Sequence, residues 1–186
     1  MRLVILGPPG SGKGTQAKLL SKRLNFKHIN TGDIFRREYK KKTAFGKKAF
    51  SYWGKGNLVP DEITIPFVQK ILPTTNYVLD GYPRTINQAQ ALERYQSTTY
   101  IFYLNTSKKE LIKRILNRAA IENRKDDTLT ILKKRLDVYT KQTKPLLSFY
   151  KNKLLNINGS QDPEAILQEV LKAIKKHKKN TQSSVL

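Results

Sequence analysis

One stretch carries the strongest chemical signal in the chain: Gly7-Pro8-Pro9-Gly10-Ser11-Gly12-Lys13-Gly14-Thr15-Gln16, directly behind the apolar run Leu3-Val4-Ile5-Leu6. The spacing is close to G-x-x-x-x-G-K-[ST], the loop that cradles phosphates between a strand and a helix. It departs at one position, because Gly14 follows the lysine and the hydroxyl arrives a residue later, at Thr15. The mechanism survives the shift. Glycines let successive backbone N–H groups turn inward on a phosphate chain. Lys13 reaches the β- and γ-phosphates, and the following helix points its positive end at the anion. Thr15 offers its hydroxyl towards Mg²⁺. These residues point to binding of a nucleoside triphosphate.

A second cluster lies at Tyr77-Val78-Leu79-Asp80, an apolar run ending in an acid, followed by Gly81-Tyr82-Pro83-Arg84-Thr85. A carboxylate at the end of such a strand suits metal-bound water beside a triphosphate. Neither Asp80 nor Thr15 is read as a direct metal ligand; both stand near Mg²⁺ carried by the nucleotide, through water. Arg84 can clamp a phosphate with two hydrogen bonds. Gln88 is one helical turn further on, so its amide can lie over the same pocket.

Elements must hold these groups together. Strand-like runs at 2–6, 27–30, 77–80, 99–104 and 153–157 alternate with helical patterns at 13–24, 31–40, 61–72, 86–95, 107–118, 129–143 and 162–177. This alternation predicts an α/β fold, a parallel five-stranded sheet with helices on both faces and ligands at the carboxyl ends of its strands. Two stretches stand outside the sheet, 43–60, rich in Gly, Lys and aromatics, and 118–128, polar and charged. Both read as loop-like excursions, and residues 177–186 as a frayed basic tail. The whole, 1–186, reads as a single domain.

The composition is that of a soluble protein, 38% hydrophobic and 27% charged. No Cys is present, so disulfides and thiolate metal sites are excluded. No run approaches the roughly 20 apolar residues of a membrane span, and a cytoplasmic protein without membrane partners is expected. The net charge of +22, from 36 basic and 14 acidic residues, invites a nucleic-acid reading. Most of the excess is Lys spread along the chain, whereas base readers interleave Arg and aromatics on one face. Salt-sensitive attraction to polyanions is expected, and specific nucleic-acid binding is not.

Taken in order, the motifs resemble those of the adenylate kinase family, from about residue 1 to residue 175. They are the phosphate loop, Asn30-Thr31-Gly32-Asp33, Gly56-Asn57-Leu58-Val59-Pro60-Asp61-Glu62, Asp80 to Thr85 with Gln88, Arg124-Lys125-Asp126-Asp127, and Lys134-Arg135-Leu136. The Gly14-Thr15 order is the usual family form. The resemblance implies a phosphate-loop NTPase fold with a mobile monophosphate-binding flap at 30–59 and a short lid at 118–128. It implies that Gly10, Ser11, Gly12, Lys13, Gly14 and Thr15 hold ATP, with Arg118 and Gln161 beside them. Thr31, Arg36, Asn57, Leu58, Val59, Gly81, Tyr82, Pro83, Arg84, Gln88, Arg124 and Arg135 are implied to hold AMP. Lys13, Arg84, Arg118, Arg124 and Arg135 are implied to be catalytic.

The implied activity is Mg²⁺-dependent transfer of the terminal phosphoryl of ATP to AMP, giving two ADP, by a monomer without zinc. Thr31, Thr85 and Gln88 favour AMP over CMP or UMP, the nearest alternative. The lid has no Gly between Arg118 and Arg124, which leaves Asn123 for the turn. Tyr52 and Trp53 read as packing groups of the flap. A basic ATPase acting on nucleic acid would not need Gln88, Arg84 and the Arg124/Arg135 pair together, and a sensing module without turnover would be expected to lose Lys13 or a lid arginine, neither of which is lost.

Overall fold

The computed structural model describes residues 1–122 and 129–183, with side chains for 1–117 and 130–176. Its strands are β1 (Arg2–Leu6), β2 (Lys27–Asn30), β3 (Tyr77–Asp80), β4 (Tyr100–Asn105) and β5 (Leu154–Asn158). They form one sheet in the order β2-β3-β1-β4-β5, every pair parallel. A parallel sheet needs cover on both faces, and the strand sequences provide for it. Val4, Leu6, Leu79 and Ile101 point into one core with Val68, Leu92 and Leu146. Their neighbours Leu3, Ile5, Val78 and Phe102 point into the other, with Ala17, Leu20, Ile166 and Val170. The order reverses direction at β1, which places the phosphate loop at the switch point where open α/β sheets bind ligands.

The helices are α1 (Lys13–Leu24), α2 (Thr31–Lys40), α3 (Ala44–Trp53), α4 (Asp61–Ile71), α5 (Ile86–Tyr95), α6 (Lys108–Glu122), α7 (Leu129–Val138), α8 (Leu146–Phe149) and α9 (Pro163–Ser183). Two departures from the sequence reading matter for the site. The region 43–60 is not a loop over most of its length, because α3 occupies its first half. Thr43 caps α3 by accepting from Gly46 N at 3.0 Å, and Phe45, Ala49 and Tyr52 recur at helical spacing to pack with Phe35 and Val59. The expected helix over 129–143 divides at Val138, after which Tyr139–Thr143 form a π-helical turn, with Lys144 N donating to Tyr139 O. At the far end α9 runs to Ser183, past the expected stop at 177.

Gly46 is where α2 and α3 cross. A methyl there would stand 2.3 Å from Glu38 C and 2.4 Å from Tyr39 N, both backbone atoms that cannot turn aside. Gly46→Ala should therefore cost about 1–3 kcal/mol by overpacking, lowering the melting temperature and spreading α2 from α3. A thermal melt read beside amide hydrogen exchange in 31–53 checks it.

Candidate functional site

The register of the sheet brings the chemistry to one edge. Ile5 pairs with Asp80, and Asn30 pairs with Asp80 from the other side, so β1, β2 and β3 end level. The phosphate loop, Thr31 and Gly81 leave those ends together. Within the loop, Gly10 holds φ +82°, and a Cβ would lie 2.7 Å from Ile115 Cγ1 and 2.9 Å from Leu111 O. Only glycine suits that position. Gly12 precedes α1 without any capping side chain, and the first turn of the helix holds no acid. The first N–H groups of α1 are thus left for an anion. Lys13 Nζ donates to Gly7 O and Pro8 O, each at 2.8 Å, folding the ammonium over the loop.

Asp80 is 4% exposed and accepts from Asn30 Nδ2 at 2.6 Å. Burial pushes its carboxyl above the usual range, and the charges of Lys13 and Arg84 pull it back. Arg84 Nε donates to Gly81 O at 2.8 Å. Burial, with Arg135 beside it, pushes the Arg84 guanidinium down to about 10, and Asp80 opposes the shift. It remains charged at neutral pH, with a second guanidinium, that of Arg135, close by.

Two adjoining hollows share this edge. The first is lined by Gly7, Pro9, Lys13, Tyr82, Pro83, Tyr139 and Thr143 among others. The second is lined by Thr31, Phe35, Arg36, Trp53, Asn57, Val59, Thr64 and Gln88 among others. Leu58, Gly81, Arg84 and Arg135 border both.

Gln88 is 2% exposed and works from both ends of its amide. Its Oε1 accepts from Arg84 N at 2.8 Å, and its Nε2 donates to Asp61 Oδ1 at 2.7 Å. This pairing fixes which end is nitrogen and leaves one N–H and one lone pair for a ligand. The Thr85 hydroxyl donates to Asp61 Oδ2 at 2.9 Å, so one carboxylate at the start of α4 anchors the whole turn. Arg36 is ion-paired with Asp33 across one helical turn of α2.

The sequence-predicted residues divide accordingly. Thr31, Arg36, Asn57, Leu58, Val59, Gly81, Arg84, Gln88 and Arg135 gather round the second hollow. Tyr82 and Pro83, expected with them, border the first instead, where Tyr82 OH donates to Gln88 O. Trp53 packs in the flap core, as expected, and also lines the second hollow. Thr15 is exposed in the first turn of α1. Gln161 borders neither hollow; its Nε2 donates to Asn158 O and Glu169 Oε2, so its side chain is held within its own loop. The Arg118 side chain and Arg124, with Asn123 and the lid turn, lie outside the described residues.

Sequence reasoning passed over two groups. Asp61 stood inside a quoted motif but received no role, since its partner Gln88 is 27 residues away. Arg114 on α6 donates to Gly159 O at 2.8 Å, to Gln161 O at 3.2 Å and to Ser11 O at 3.4 Å. It is paired with Glu110 at 2.7 Å, and so ties the phosphate loop to the 158–161 turn. Its spacing from Arg118, one helical turn, was the available signal.

Comparison with known proteins agrees with this geometry. The family model for adenylate kinase matches residues 5–155. An adenylate kinase of Cyanothece sp. is 42% identical, covering 95% of this chain and 98% of its own. One of Azobacteroides pseudotrichonymphae is 40% identical, covering 94% and 97%, and one of Clostridium perfringens 38%, covering 94% and 98%. With the phosphate loop, the paired hollows and these relatives in agreement, the chain belongs to the adenylate kinase family.

Proposed function

We propose that the first hollow receives the terminal phosphates of ATP and the second receives AMP, with reversible transfer of one phosphoryl group between them to give two ADP. The carrying observation is the shared border: Arg84 and Arg135 face both hollows, so a phosphoryl group passing from one to the other stays within reach of both guanidinium groups. Phosphoryl transfer spreads charge over equatorial oxygens, and fixed cations at that point stabilise it. No general base is needed, because the AMP phosphate brings its own nucleophilic oxygen. Lys13 and the first N–H groups of α1 hold the donor phosphates. Arg36 leaves or shares Asp33 to meet the AMP phosphate. Gln88 offers its remaining N–H and lone pair to adenine, which presents a matching ring nitrogen and exocyclic amine.

Asp80, buried beside Lys13 and level with the loop, and the Thr15 hydroxyl would hold, through water, an Mg²⁺ arriving with ATP. Bound there, the ion would neutralise phosphate charge. On the strength of the motif alone, Arg118 is assigned to the donor side, and Arg124, with Arg135, to AMP and the transferring phosphoryl group.

The test is diphosphate formation from ATP and Mg²⁺ with AMP, CMP, UMP and GMP offered separately. Turnover on AMP alone is expected; preference for CMP or UMP would overturn the roles given to Thr31 and Gln88. The anchoring of Gln88 makes a finer prediction. Asp61→Asn should raise the KM for AMP about tenfold, the worth of one charge-assisted hydrogen bond, with kcat and the KM for ATP nearly unchanged. Steady-state kinetics with each substrate varied in turn decide it.

A further inference from the structure

The positive charge is not spread evenly over the flap. Positions 36–55 hold Arg36, Arg37 and six lysines against one acid, Glu38. Lys40, Lys41, Lys42, Lys47 and Lys48 are all exposed. Between them lie Tyr39 and Phe50, which stack at 4.1 Å with an interplanar angle of 17° and remain 37% and 36% exposed. The crossing at Gly46 produces this arrangement, since Phe50 is one helical turn beyond Gly46 and meets Tyr39 across the seam. Trp53, the only tryptophan in the chain, stands edge-on to Phe50 at 4.8 Å and to Tyr39 at 6.0 Å. The hollow assigned to AMP takes Thr31, Gly32, Phe35, Arg36 and Trp53 from these helices, but none of the exposed lysines and neither stacked ring. Nucleotide phosphates bound in the cleft therefore do not account for them.

We infer that the outer seam of α2 and α3 binds single-stranded RNA, through backbone charge and base stacking and without reading sequence. Lysines flanking an exposed aromatic stack are what a single strand requires: cations for its phosphates and a π-surface to continue its bases. The arrangement favours RNA over a lipid surface. The large apolar groups exposed in the patch are two rings already stacked on each other, without the aliphatic area that an interfacial helix buries. The inference does not depend on the phosphotransfer reading.

The experiment is fluorescence anisotropy of a labelled 12-nucleotide oligouridylate with the full chain, beside inorganic polyphosphate and phosphatidylglycerol vesicles. Binding is expected to weaken linearly in log–log form as salt rises. A Lys41→Glu/Lys47→Glu/Lys48→Glu variant should lose about tenfold or more in RNA affinity while keeping AMP turnover, which also shows that it is folded. Tyr39→Ala should lose about fivefold or more for RNA, Tyr39→Phe should restore it, and neither should change polyphosphate binding. Trp53 emission should respond to RNA and not to polyphosphate. RNA affinity unchanged in the lysine variant overturns the site. Equal loss of RNA and polyphosphate in Tyr39→Ala, or none of either, reduces it to diffuse charge. Vesicle binding that needs the same residues, with no RNA binding, assigns the surface to membranes instead.

Discussion

Lys13→Ala should lower kcat for ADP formation about a thousandfold or more, while the melting temperature moves by only a few degrees. The size of the effect follows from position. Lys13 is the first residue of α1, and its Nζ is drawn back over the loop by Gly7 O and Pro8 O at 2.8 Å each. Those carbonyls hold the ammonium at the border of the hollow proposed for the donor phosphates. An ammonium so placed gains most when charge develops on the transferring group, so its loss falls on kcat rather than on binding alone. The fold should tolerate the change, because the loop keeps its own bond from Ser11 N to Pro8 O and its packing on Ile115. A coupled assay of ADP release beside a thermal melt separates the two effects. Activity within tenfold of the parent would sink the role given to Lys13.

Arg84→Lys is the second large effect, expected to cost about a hundredfold in kcat and to raise the KM for AMP, although the charge is kept. Arg84 is fixed at three points. Its Nε donates to Gly81 O, its backbone N–H donates to Gln88, and its carbonyl accepts from Thr143 Oγ1 at 2.8 Å. With one edge of the guanidinium spent on Gly81, the remaining N–H groups form a fork of fixed direction where the two hollows meet. Lysine offers a point charge on a flexible stem and cannot reproduce that fork. Full kinetics in both directions would show whether the loss is shared by ATP formation, as a group acting at the transferring phosphoryl requires. A loss confined to the AMP KM would make Arg84 a binding residue only.

The parts legible in the sequence are those fixed by local spacing. The strand, loop and helix from Arg2 to Leu24 follow from an apolar run, two close glycines and a lysine. Arg84 and Gln88 fall together because they lie four residues apart around the Thr85 cap. The parts that were not legible depend on order in the sheet or on small changes of period. Asp61 meets Gln88, and Arg114 meets Ser11, only once β3 lies beside β1 and β4 on its other side. Helix α3 was hidden because Gly46, Lys47 and Lys48 lie within it and Gly54, Gly56 and Pro60 follow close behind, while Phe45, Ala49 and Tyr52 mark its inward face at helical spacing. The π-helical turn at Tyr139–Thr143 shifts the helical phase by a single residue, which leaves the apolar pattern almost unaltered.

The approach of Arg135 to Arg84, whose buried guanidinium also faces Asp80, has a thermodynamic reach beyond catalysis. Arg84 and Arg135 repel each other, and a nucleotide phosphate bound where the two hollows meet would offset that repulsion. Ligands that bind only the native state stabilise it by mass action. The folding equilibrium of this enzyme is therefore linked to the nucleotide pool it serves, and its resistance to unfolding and proteolysis rises and falls with its substrates.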